Sequence, residues 1–215
     1  MGWGGVEERS EGCGGSGHRR TNVPGITIMG QVVTRDALIS ALGQARADGR
    51  RIVLTNGVFD LLHVGHARLL DTCRAQSGTD GRPPVVVVGV NADASVRTLG
   101  KGPDRPLVPE DDRAELLAAL VSVDFVTIFE EATAVNLARA VKPDLYVKGG
   151  DYAVDASASD LEVASARLPE APVVREGGGS VLLVPTVAGR STTALARRIA
   201  MSAPLPSPGG RGVGG

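Results

Sequence analysis

Five short aliphatic runs constrain this chain more than anything else in it: "RIVLT" (51–55), "VVVVGV" (85–90), "DFVTIF" (124–129), "LYVKG" (145–149) and "SVLLVP" (180–185). Runs this short, apolar on consecutive rather than alternate residues, are expected of strands buried on both faces. Between them lie segments of helical periodicity. "TRDALISALGQARADG" opens on Thr34, an N-cap residue, stops at Gly49, and puts Leu38, Ala41, Leu42 and Ala45 on one face. "HARLLDTCRAQ" follows the first strand, and "PEDDRAELLAAL" carries Pro109 and a group of carboxylates at the positive end of its dipole. "TAVNLARAV" stops near Pro143, and "STTALARRIA" is capped by Ser191. Strands joined in this way imply right-handed βαβ units. The predicted fold is α/β, a doubly wound parallel sheet of five strands with helices on both faces.

The rest of the chain sets bounds. Residues 1–29 are Gly-rich and charged without periodicity, residues 202–215 are rich in Pro and Gly, and both are expected to be disordered, which leaves one domain over 30–201. Met29 is an alternative start. The inserts at 77–84 and 153–178 look irregular, although "DASASDLEVASARL" (155–168) has a helical pattern. A net charge of −1 and no lysine-arginine block exclude an electrostatic footprint for nucleic acid. Cys13 and Cys73 stand too far apart in sequence to suggest a disulfide scaffold. No stretch is long and apolar enough to span a membrane, and the N-terminus lacks the apolar core of a secretory signal, so a cytoplasmic protein is expected.

Ligands of doubly wound sheets bind beyond the carboxyl ends of the strands, at the point where strand order reverses. "TNGVFDLLHVGHARLL" (55–70) runs from the first strand into the first helix and therefore belongs to that crevice. It holds His63 and His66, two of only three histidines in the chain, around Gly65. Gly57 is expected to permit a tight turn, and Gly65 to remove a side chain where a ligand would clash. His66 falls in the first turn of the helix, where free N–H groups favour an anion. A zinc site would need further ligands that Cys73 and His18 are not placed to supply. A phosphate clamp suits the pair best.

"NGVFDLLHVGH" resembles the G-x-F-D-x-x-H-x-G-H signature of the cytidylyltransferase-like nucleotidyltransferases. "VNADASVRTLGKGPDRPLVPEDDRAELLAAL", "VDFVTIFEE", "KPDLYVKGGDY" and "GRSTTALARRI" are similar, in the same order, to the branch acting on D-glycero-β-D-manno-heptose 1-phosphate. The resemblance covers about residues 31–200 and implies a Rossmann-like sheet. It also implies transfer of AMP from ATP onto a sugar 1-phosphate, with Mg²⁺ carried by the triphosphate rather than by a protein metal site. Thr55, Asn56, Gly57, Val58 and Phe59, with His63, Gly65 and His66, would cradle the triphosphate, with His63, His66 and Lys101 stabilising charge at the attacked phosphorus. Lys148, Ser191, Thr192, Thr193 and Arg113 are further nucleotide-binding candidates. Asn91, Asp93, Lys101, Arg105, Gly149, Gly150 and Asp151 are candidates for the acceptor.

Plainer roles stand beside several of these. Asp60 is expected to fix a turn through backbone N–H groups. Asp93 can equally cap a short helix. Lys101 can be a solvated loop lysine, Arg105 and Arg113 can make surface pairs, and Gly149 and Gly150 can form a turn. Glycerol-3-phosphate cytidylyltransferases, FAD synthetase-like enzymes and a non-catalytic nucleotide-binding module remain alternatives on the same scaffold. The resemblance further implies a homodimer and, since 215 residues leave no room for a kinase domain, a separate sugar kinase.

Overall fold

The computed structural model describes residues 30–100, 102, 104–150 and 163–202. Its elements in chain order are β1 (Gln31–Val32), α1 (Arg35–Ala47), β2 (Ile52–Gly57), α2 (Val64–Arg74), β3 (Val85–Asn91), α3 (Asp93–Thr98) and α4 (Glu110–Ala118). There follow β4 (Phe125–Phe129), α5 (Val135–Val141), β5 (Leu145–Gly150), α6 (Ala171–Glu176), β6 (Ser180–Pro185) and α7 (Thr192–Met201). The strands form one parallel sheet in the order β1-β4-β3-β2-β5-β6. From β2 the chain winds outward through β3 and β4, then crosses back to β5 and β6. Strand order therefore reverses between β2 and β5.

The sheet has six strands, not the expected five. The addition, β1, pairs Gln31 with Phe125 and Val32 with Val126 on the β4 edge. Two exposed residues carry no pattern that would announce a strand. A second departure is α6, a helix inside the stretch 153–178 that reads as irregular. Pro172 sits in its first turn, where a proline costs no hydrogen bond, and Ala171, Val173 and Val174 are buried. The helical pattern over 155–168 lies largely outside the described residues.

The central strands β4, β3, β2 and β5 are covered on both faces. Val53, Val86, Val88 and Val126 pack with Leu69 and Leu70 of α2 and Leu117 of α4 on one side. Ile52, Leu54, Val87 and Tyr146 pack with Leu38 and Leu42 of α1 and Leu137 and Val141 of α5 on the other. Thr34 caps α1, its hydroxyl accepting from Ala37 N at 3.3 Å, and the chain leaves that helix through Gly49 at φ +69°.

At the amino ends of the strands two carboxylates close the sheet. Asp144 Oδ2 accepts from Ile52 N at 2.7 Å, and Asp124 Oδ2 accepts from Val86 N at 2.7 Å and from Arg74 at 2.8 Å. With that end sealed, the carboxyl edge carries the loops that can change without unfolding the sheet. Among the described residues no helix is long and apolar enough to cross a membrane.

Candidate active site

The turn from β2 into α2 is built around a strained residue. Phe59 has φ +51°, an uncommon conformation for a bulky side chain, and is 3% exposed. The tight turn thus falls at Phe59 and not at Gly57. Gly57 instead makes room for the Phe59 ring, whose Cε2 would lie 3.2 Å from any added Cβ. The ring also supports His66, at 5.0 Å between centroids and a tilt of 58°.

Helix α2 starts on a histidine. His63 is its N-cap, and the imidazole Nδ1 accepts from Gly65 N at 3.1 Å. A nitrogen that accepts lacks a proton, so the neutral ring carries its N–H on Nε2 and offers it outward. His66, three residues on, stacks on His63 with centroids 3.8 Å apart and planes 21° apart. Burial pushes His63 below the ordinary imidazole range. Burial, and then the neighbouring His63, push His66 down to about 4. Both rings are therefore neutral hydrogen-bond donors near neutrality. His66 Nδ1 is enclosed with no protein partner.

Gly65 has a different reason from the expected one. A Cβ there would meet Cε1 and Nδ1 of His63 at 2.9 Å, so the glycine clears space for the neighbouring imidazole rather than for a ligand.

Asp60 ties this turn to the next loop. Its Oδ1 accepts from Leu107 N at 2.7 Å and Val108 N at 2.9 Å, and its Oδ2 pairs with Arg105 at 2.5 Å. Arg105 is engaged there rather than open to the crevice. Arg113 lies beneath, fully buried rather than in a surface pair. It donates to the carbonyls of Val108 (2.8 Å), Val58 (2.5 Å) and Asn91 (2.9 Å) and to Asp93 Oδ1 (2.6 Å). Asp93 does not cap α3, whose N-cap is Ala92; its carboxylate holds Arg113 and its N–H donates to Glu110. Asn91 donates to Ser95 Oγ at 3.0 Å, and Ser95 in turn to the carbonyl of Glu131.

Across the reversal point, Lys148 Nζ on β5 donates to Asn56 Oδ1 on β2 at 2.8 Å, and Tyr146 Oη donates to the same oxygen. Thr55 is fully enclosed and its hydroxyl makes no protein hydrogen bond, so its side chain lies in the core below the crevice. Gly149 and Gly150 lie within β5, paired with Val184 and Pro185, and form no turn there. Lys101 and Asp151 fall outside the described residues.

The last helix reaches the same turn. Ser191 caps α7, accepting from Ala194 N at 3.1 Å, and Thr192 Oγ1 donates to the carbonyl of Leu61 at 3.4 Å. Thr193 follows in the exposed first turn. Helices α2 and α7 enclose a cleft of about 500 Å³ whose lining includes His63, Ser191, Arg68, Arg190 and Arg198. The three arginines were absent from the expected site, although helical spacing alone puts Ser191, Ala194, Leu195 and Arg198 on one face. Among the described residues no three His, Cys, Asp or Glu side chains converge to hold a metal.

A parallel doubly wound sheet with stacked histidines at the first βα turn and hydroxyls at the last helix defines a Rossmann-like α/β domain with both groups at the carboxyl edge. The family pattern described as "Cytidylyltransferase-like" matches residues 54–199, and the chain belongs to that family. It is 46% identical over 169 residues to a D-beta-D-heptose 1-phosphate adenylyltransferase of Bordetella bronchiseptica, covering 79% of this chain and 93% of that one. It is also 46% identical over 165 residues to the bifunctional protein HldE of Koribacter versatilis, covering 77% of this chain and 30% of that one. The chain thus spans about a third of the length of the bifunctional relatives it matches. A solved lipopolysaccharide core biosynthesis protein from Thermoplasma volcanium aligns at 26% identity with a TM-score of 0.44, over 64% of this chain and 96% of that one.

Proposed function

We propose that this protein transfers AMP from ATP onto D-glycero-β-D-manno-heptose 1-phosphate, releasing pyrophosphate. The observation that carries the reading is the stacked, neutral His63–His66 pair at the start of α2, set beside the hydroxyl-bearing start of α7. The name of the 46% identical relative supports the acceptor and the base.

The acceptor phosphate is largely dianionic near neutrality, because its second pKa is about 6. It needs no general base. One of its oxygens bonds to the α-phosphorus while the bond from that phosphorus to the bridging oxygen breaks, and the electron pair leaves with pyrophosphate. The obstacle is charge, so catalysis consists of in-line positioning and stabilisation of the charge developing at the α-phosphate. His63 Nε2–H and His66 are the donors for that charge. Ser191 to Thr193 hold the distal phosphates, Lys148 and Asn56 flank the reversal point where the nucleoside lies, and Lys101 and Asp151 complete the phosphate and acceptor contacts. Arg113 acts through others, fixing the Val58 carbonyl and Asp93.

Magnesium fits this arrangement as part of the substrate, Mg-ATP. The crevice carboxylates Asp60 and Asp93 are already held by Arg105 and Arg113, and Mg²⁺ keeps most of its ligands as water and phosphate. The acceptor itself must come from a kinase that phosphorylates the anomeric oxygen of the sugar.

The test is a panel of nucleoside triphosphates against sugar and polyol phosphates, followed by pyrophosphate release. Turnover is expected with ATP and the heptose 1-phosphate. Turnover with CTP and glycerol phosphate instead would overturn the assignment.

A further inference from the structure

At the carboxyl edge of the sheet a short series of hydrogen bonds runs from the surface inward to Asn91, the last residue of β3. Arg35, the first residue of α1, donates to both carboxylate oxygens of Glu131, at 2.9 and 2.8 Å. The Glu131 carbonyl accepts from Ser95 Oγ at 3.0 Å, and Ser95 Oγ accepts from Asn91 Nδ2 at 3.0 Å. Ser95 and Asn91 are buried, at 3% and 4% exposure. The direction of these bonds is forced. A carbonyl can only accept, so the single Ser95 hydroxyl proton goes to Glu131, and toward Asn91 the same oxygen can only accept. The Asn91 amide must therefore turn its nitrogen to Ser95 and its oxygen the other way. Among the described residues nothing donates to Asn91 Oδ1, yet that oxygen is not sealed from solvent. A lone acceptor of this kind suits a group that carries a proton, such as a hydroxyl, and not an ionised phosphate oxygen.

We infer that Ser95, backed by Glu131 and Arg35, positions Asn91 to accept a hydrogen bond from one hydroxyl of the acceptor sugar. This rests on the nucleotidyl-transfer reading of the crevice. In that reading the nucleoside lies between β2 and β5, and Asn91 stands on β3, on the other side of β2. Ser95 acts through Asn91. Without the serine oxygen the amide nitrogen loses its partner and the side chain is free to turn over, which presents N–H groups where a hydroxyl proton has to be received. A purely structural role for Ser95 would instead lower nucleotide and sugar binding together and leave discrimination among sugars intact.

The experiment is calorimetric titration of wild type and S95A with the heptose 1-phosphate and its mono-deoxy analogues. The buffer holds magnesium and saturating α,β-methylene-ATP, whose bridging carbon cannot leave. In the wild type one deoxy analogue is expected to bind about tenfold more weakly than the parent sugar, the cost of one unpaired acceptor. In S95A the parent should weaken about tenfold, and that gap should close to within about twofold, because the coupling between the hydroxyl and Asn91 is gone. The nucleotide analogue, titrated alone, should bind both proteins alike. Should S95A fail to fold, S95C fills the same space with a weak acceptor and carries the comparison, the gap narrowing at least about threefold. A wild type that binds no heptose 1-phosphate, or that treats every deoxy analogue as it treats the parent, overturns the inference. So does a gap that persists in the variant, or a parallel loss of nucleotide affinity. Pyrophosphate release from ATP is measured separately. Release with an unchanged gap in S95A removes the role of Ser95 alone. The expected gaps without any release remove the transfer reading and keep the hydroxyl contact.

Discussion

Replacing Arg113 with methionine removes a guanidinium that is 0% exposed and joins four otherwise separate groups. Three are main-chain carbonyls, of Val58 after β2, Asn91 at the end of β3 and Val108 before α4; the fourth is Asp93. Removing one partner of a buried ion pair costs about 3–5 kcal/mol, because the other is left desolvated and unpaired. Asp93 is 23% exposed and can turn part of its charge to water, which places the expected loss near the lower figure, about 3 kcal/mol. In a domain of this size each kcal/mol moves the melting point by about 2–4 °C, so R113M should melt roughly 6–12 °C below the wild type. Circular dichroism melts and urea midpoints measure this directly. Asp93→Asn is the internal control and should lose less, since the three carbonyl bonds survive it. A melting point for R113M within about 2 °C of the wild type would mean that Arg113 does not hold these four groups together, because no buried cation with four bonds disappears without cost.

Other perturbations separate chemistry from folding. His66→Ala is expected to lower turnover about 10²–10³-fold, the usual cost of one donor to developing charge, with little change in melting point; retained turnover in the folded variant sinks the mechanism. Gly65→Ala places a methyl 2.9 Å from the His63 ring, so turnover should fall at least about tenfold while helix stability holds, and an unimpaired enzyme would contradict it. Gly89→Ala drives a Cβ to 2.5 Å from Leu137 Cδ2 and should destabilise by about 1–3 kcal/mol in urea titration. On acidification the unfolded chain protonates His66 first, near 6.5, while the folded ring resists until about 4. Stability present above 6.5 is therefore lost as pH falls to 4, and the loss should be shallower in His66→Gln than in the wild type.

The alternation of β-branched runs with helical segments determined the sheet, because a strand buried on both faces leaves no polar alternate positions. What escaped the sequence is of three kinds. Strand β1 has two residues, too few for any period to show. Helix α6 hides behind Pro172 and the glycines at 177–179, which signal a loop unless the proline is known to occupy the first turn. The third kind is long-range. Arg113 looked like a surface arginine because it stands among Glu110, Asp111, Asp112 and Glu115, while its partners at Val58 and Asn91 are 55 and 22 residues away. The histidine pair was legible from its place at a βα junction, but the reason for the glycine between them was not. Only the folded chain brings the His63 ring into that space. Likewise the arginines at 68, 190 and 198 are unremarkable in sequence, and the cleft alone brings them together.

In the proposed reaction the adenylyl group passes directly from ATP to a sugar phosphate oxygen. Phosphorus NMR of the protein mixed with Mg-ATP and the heptose 1-phosphate follows every species at once. Direct transfer predicts one ADP-heptose for each pyrophosphate, and neither without the acceptor. Pyrophosphate appearing without the acceptor, or ATP bound and left intact in its presence, would contradict it.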